Sequence, residues 1–171
     1  MLMLVCAVSV SAQSAANWTE YTDEDLGLRV AFPGAISRSS EMVGTGAKKD
    51  LAVTFTSKFG GAIFILSVTE IPEGNNEPLK ELFDGAREGM LSVGTDAKVT
   101  SEKDVKVEGR AARDVSLTTK EFGLRTRLFY VDGRLYQMLV MIPPAMAKDA
   151  KVTADMVKFI ESITFISTAA K

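Results

Sequence analysis

Along residues 124–142, LRTRLFYVDGRLYQMLVMI, apolar and polar side chains alternate with period two on either side of Asp132-Gly133. That pattern predicts two strands joined by a tight turn. Asp-Gly suits a type I′ turn, which needs positive φ at both central residues and matches the twist of the strands. With Val131 opposite Arg134, one face carries Leu124, Thr126, Leu128, Tyr130, Leu135, Gln137, Leu139 and Met141, a core set. The other carries Arg125, Arg127, Phe129, Val131, Arg134, Tyr136, Met138 and Val140, apolar but edged with arginines. A pair with two apolar faces belongs in the middle of a sheet, the guanidinium groups reaching water along their aliphatic stems.

The same reading extends both ways along the chain. Residues 18–22 and 28–32 are expected as short strands flanking an acidic turn, Pro33-Gly34 as a stop, and residues 36–43 as a polar strand followed by a loop at 44–49. Residues 51–57 and 62–71 form a second predicted hairpin around Gly60-Gly61. Pairing Phe59 with Ala62 puts Leu51, Val53, Phe55, Phe64, Leu66 and Val68 on its inner face. After a turn-rich break at 72–77, Pro78 opens a helix on which Leu79, Leu82, Phe83, Ala86, Met90 and Val93 recur at helical spacing, with Gly94 as its stop. Gly85 and Gly89 stand four apart on it, a spacing compatible with close packing. Residues 99–107 read as an exposed, charged edge strand, Gly109-Arg110 as a turn and residues 111–119 as a strand leading into the central hairpin, a meander of three or four strands. Pro143-Pro144 ends the hairpin, and a helix at 148–162 buries Val152, Met156, Phe159, Ile160 and Ile163 before a last short strand at 164–166.

Composition narrows the class. The chain has 171 residues, 46% hydrophobic, enough for one domain with one core. Twenty basic against 22 acidic residues give a net charge of −2, which argues against a nucleic-acid binder driven by phosphate neutralisation. Residues 1–16, MLMLVCAVSVSAQSAA, form an apolar run with a small-x-small site, Val10-Ser11-Ala12, before Gln13. The run fits a secretory signal peptide lacking its basic start, with a buried strand or helix as the alternative. The expected organisation is a signal peptide and short linker over 1–16, a single domain over 17–171, and a periplasmic or secreted location. The run is shorter than the about 20 residues a spanning helix needs, so the mature chain should carry no transmembrane segment. Cys6 is the one cysteine, and Val5 before it does not suit a lipid-anchor site.

Beyond that run the chain has neither Cys nor His, which removes disulfides, thiol nucleophiles, histidine bases and the usual zinc sites. The Asp23-Glu24-Asp25 turn could meet Ca²⁺, but its spacing lacks the alternating ligands of an EF-hand, and a solvated turn is the simpler reading. No cofactor or metal is expected. Acid and base groups occur at Glu102-Lys103-Asp104 and along residues 121–127, but charge runs on strands are usually solvated faces, and an enzyme ranks last.

This layout resembles the PsbP-like α/β/α family, which includes the photosystem II accessory protein, DcrB-type and LpqN-type bacterial envelope proteins and a eukaryotic Ran-binding protein. The resemblance runs from about residue 18 to 165. It rests on LRVAFPG at 28–34, the hairpin around 125–136, and FIESITF at 159–165. It implies an α+β single domain, a mainly antiparallel twisted sheet flanked by helices, and roles in assembly rather than catalysis.

Two functions follow as expectations. The first is a non-catalytic exported accessory domain that docks on another envelope protein through Arg125, Arg127, Phe129, Arg134 and Tyr136, since arginine and aromatic residues together favour interfaces. The plainer reading of that face is that the protein's own helix covers it, since aromatic residues on strands are usually core. The second is a small-ligand or lipid carrier, holding a small apolar or anionic molecule in a pocket between sheet and helix lined by Met90, Met138, Met141 and Met156.

Overall fold

The computed structural model describes residues 17–43, 50–71 and 77–166, so the signal-peptide reading of 1–16 and the loop at 44–49 lie outside the described residues. Asp132 and Gly133 have φ of 49° and 74°, and the same two-residue positive-φ turn recurs at Gly60-Gly61 and at Glu108-Gly109. The third was expected one residue later. Arg110 instead opens the next strand, and Glu108 accepts the left-handed conformation because the twist of the hairpin demands it.

These turns organise a seven-stranded antiparallel sheet. In chain order after two short strands, β1 (Trp18–Asp23) and β2 (Leu28–Pro33), come β3 (Ile36–Val43), β4 (Asp50–Phe59), β5 (Ala62–Glu70), β6 (Lys98–Val107), β7 (Arg110–Thr118), β8 (Gly123–Val131) and β9 (Arg134–Ile142). Their order across the sheet is β3-β4-β5-β9-β8-β7-β6, so the hairpin β8–β9 is central and β6 is an edge, as the patterns predict. β1 and β2 form a second, small antiparallel sheet with β10 (Thr164–Phe165).

Helix α1 (Leu79–Leu91) packs on one face of the large sheet, and α2 (Ala150–Glu161) lies on the other together with the small sheet. Asp149 caps α2, its carboxylate accepting from the N–H groups of Lys151 and Val152 at 2.8 and 3.1 Å. On the α1 side a small core gathers Met90, Val115, Leu117, Leu124 and Leu139. The main core lies on the other side. There Phe159 of α2 sits 5.1 Å from the Phe32 ring and 5.5 Å from the Phe64 ring, and Phe165 of β10 packs edge-on to Phe129 and Tyr136.

Three expectations from periodicity are corrected here. Leu51, placed in the core by alternation, is 41% exposed, because the end of β4 where it lies reaches past the covering layers. Val93 is 58% exposed because α1 ends at Leu91, before the stripe can carry it inward. A Cβ added at Gly85 or Gly89 would meet nothing within 4 Å, so neither mediates close packing. Just past the helix, Gly94 does make a tight approach, where a Cβ would lie 2.7 Å from the Thr119 methyl.

Candidate functional site

The five residues singled out on the central hairpin share one face of β8 and β9, and that face is the floor of the main core. Phe129 and Tyr136 are each 1% exposed. They lie under β10 rather than on a surface, covered by the protein's own elements. Tyr136 donates its hydroxyl to the Leu26 carbonyl at 2.8 Å, tying the hairpin to the loop between β1 and β2. Burial pushes its phenol above the ordinary value, as expected where ionisation would put a charge among apolar rings. A Tyr136→Phe variant keeps the ring but leaves that carbonyl unpaired. It is expected to lose about 1–2 kcal/mol of stability, read as a lower urea midpoint with an unchanged slope. An unchanged midpoint would mean that water replaces the hydroxyl.

The three arginines divide. Arg127 makes a two-pronged pair with Asp114, Nε to Oδ1 at 2.6 Å and Nη2 to Oδ2 at 2.9 Å, and this hydrogen bonding raises its pKa further. Arg134 pairs with Glu70 on the neighbouring strand at 3.5 Å. Arg125 is partly exposed and has no ion pair among the described residues. The structure therefore brings the five together but turns the two aromatic rings inward and commits two of the three arginines.

The four methionines do not line one pocket. Met90 and Met141 belong to the α1 side of the sheet, Met138 and Met156 to the α2 side, with the sheet between them.

A different cluster, centred on Arg113 of β7, escaped the sequence reading. Its side chain is only 6% exposed, yet it faces three carboxylates: Nε lies 2.6 Å from Asp104, and Nη1 lies 2.5 Å from Asp84 and 3.1 Å from Glu102. Arg87 adds a second cation 3.1 Å from Glu102, and Lys80 a third 2.6 Å from Asp84. The Phe83 ring lies under the Arg113 guanidinium at 5.5 Å. Hydrogen bonds from Lys80 and then Arg113 hold the Asp84 carboxyl below the usual carboxylate range. The cluster bridges α1 to β6 and β7, and it absorbs the acidic run Glu102-Lys103-Asp104 that had been weighed as acid/base chemistry. Beside it, Leu79, Phe83 and Ala111 line a groove of about 400 Å³ with Lys80 and Lys106 among its polar walls.

Asp23 accepts a hydrogen bond from the Leu26 N–H at 3.0 Å, closing the acidic turn on itself. Among the described residues no group of His, Cys, Asp or Glu is arranged to hold a metal ion, and no helix is long and apolar enough to cross a membrane.

Two packed sheets of this order with a helix on each side define the PsbP-like α+β fold. The chain is similar to the solution structure of cyanobacterial PsbP (CyanoP) from Synechocystis sp. PCC 6803, with a TM-score of 0.64 and 13% identity over 93% of this chain and 98% of that one. It also aligns with PA94 of Pseudomonas aeruginosa, a protein of unknown function, with a TM-score of 0.48 and 10% identity over 90% of this chain and 99% of that one. No protein-family model and no curated protein matches the sequence. At 13% identity the likeness to CyanoP establishes the fold alone.

Proposed function

We propose that the protein is a non-catalytic accessory domain, exported to the periplasm or the medium, that docks on another envelope protein. One observation carries this reading: the carboxylates clustered on the sheet are spent on structure. Asp104, Glu102, Asp84 and Asp114 each hold an arginine between elements of the fold. A carboxylate locked to a guanidinium is poorly placed to move protons. Of the predicted contact residues, Arg125 remains available to a partner. Native mass spectrometry of the protein purified gently from the envelope or medium tests the reading. A co-purifying protein is expected, and Arg125→Glu is expected to weaken its retention about tenfold without moving the urea midpoint. Retention unaffected by that charge reversal would remove Arg125 from the interface.

The groove beside Phe83 favours a second reading, a small-ligand carrier. Its apolar floor and the nearby Lys80 and Lys106 suit a small apolar molecule bearing a negative charge. A small bound mass in the same spectrum, lost on Phe83→Ala, would support it over docking.

A further inference from the structure

The two edges of the large sheet are built differently. β6 carries Lys98, Glu102, Lys103, Asp104 and Lys106 and has an irregular register between Val99 and Ser101. Charges and a bulge are devices by which an edge strand resists pairing with another chain. β3, ISRSSEMV, keeps an unbroken register with β4 from Ile36 to Val43 and has no Lys, no Pro and no bulge. Its central residues, 37–42, are all exposed.

The register tells which backbone groups of β3 have no strand partner among the described residues. The two-residue turn closes on Phe59–Ala62, so Val53, Phe55, Ser57 and Phe59 aim their N–H and C=O groups at β5. Ala52, Thr54 and Thr56 are left to bond β3, and they engage Glu41, Ser39 and Ser37. Ile36, Arg38, Ser40 and Met42 therefore point their backbone groups outward.

We propose that β3 pairs antiparallel with β3 of a second copy of this chain, on a two-fold axis at Ser39, joining two sheets into one. Under such an axis, perpendicular to the sheet, opposed residues must share a face, which limits the choices of centre. Centring on Arg38 or on Glu41 sets like charges directly opposite. Centring on Ser40 puts Ile36 beyond the end of the partner strand. Centring on Ser39 opposes Ile36 to Met42 of the second copy, Ser37 to Glu41, Arg38 to Ser40, and Ser39 to itself. Every outward backbone group is then used in about eight hydrogen bonds. Met42, 56% exposed in the single chain, gains an apolar neighbour. Arg38 is already drawn inward over the Phe55 ring at 5.7 Å, away from the axis. This pairing is independent of the docking and carrier readings.

The test combines sedimentation with cross-linking. The wild-type protein is expected to sediment as a dimer at high concentration. Ser40→Pro removes an outward N–H without touching the bonds to β4, a place where an edge strand tolerates proline. It should weaken self-association about tenfold or more, its urea midpoint confirming that it folds. In a Cys6→Ser background, Ser39→Cys places two thiols in a non-hydrogen-bonded pair whose spacing suits a disulfide, so oxidation should give a covalent dimer. Ser40→Cys, displaced by two residues from its counterpart, should not. A monomer at roughly 1 mM chain, a dimer indifferent to Ser40→Pro, or equal cross-linking at both positions would each overturn the proposal.

Discussion

Truncating Phe159 to alanine is expected to lower the unfolding free energy by about 3–5 kcal/mol. The ring is fully buried at the point where three layers meet: α2, which carries it, Phe32 of the small sheet and Phe64 of the large one. Trp18 reaches the same place, 6.5 Å from Phe64. Alanine removes the apolar area and leaves a cavity that rigid strands on two sides cannot collapse to fill. Domains of this size hold about 5–15 kcal/mol in total, so the variant should be marginal at 37 °C. Phe159→Leu, which keeps most of the volume, should lose less than half as much. Urea unfolding of both checks the argument, and similar losses for the two would mean that the site repacks freely.

Arg113→Met should be the second large effect, about 2–4 kcal/mol at pH 7. The loss comes less from the arginine than from what it leaves behind. Asp84, Glu102 and Asp104 would face one another with only Arg87 and Lys80 close by. Two further observations separate this from lost packing. Adding Asp84→Asn to Arg113→Met should recover part of the loss, because one of the three repelling charges is gone. Acid should also shrink the gap between wild type and variant. The Asp84 carboxyl is depressed in the folded protein, so its contribution is present above its ordinary value of 3.8 and is lost as pH falls through its lower folded value. As pH falls below that ordinary value the wild type progressively loses the Asp84 contribution, and the gap to the variant narrows. A gap that stays constant down to pH 3 would assign the arginine a packing role.

The central hairpin was legible because its signals are local. A period of two divides its faces, and Asp132-Gly133 fixes the register, which the structure keeps from Gly123–Ile142 to Val131–Arg134. What covers each face was not legible, because the cover comes from segments far away in the chain. β2, α2 and β10 lie on the Phe129 and Tyr136 side, α1 on the other. Phe129 and Tyr136 therefore read first as core, with an interface as the other reading, and the sequence does not name the segment that covers them. The Arg113 cluster did leave a signal. Arg113 occupies the same face of β7 as Val115 and Leu117, where an apolar residue would be expected, and the β6–β7 register sets Asp104 opposite it. A charge in a core-facing position with an acid across from it marks a buried arginine held by a cross-strand ion pair. Leu51 shows the reverse error, since alternation gives the face of a strand but not how far the covering layer extends along it.

Ser162 accepts a hydrogen bond from the Ala31 N–H across 131 residues of chain, and β10 completes the small sheet by pairing with β2. The main core is thus closed by pairing two segments far apart in the chain, the later one completing the earlier. Until residues beyond Ser162 have left the ribosome, Leu28, Val30 and Phe32 have neither β10 nor α2 to pack against. Contacts of such long range are slow to form because the loop entropy must be lost before they repay it. A nascent chain of this design stays open, and within reach of chaperones, until β10 has emerged.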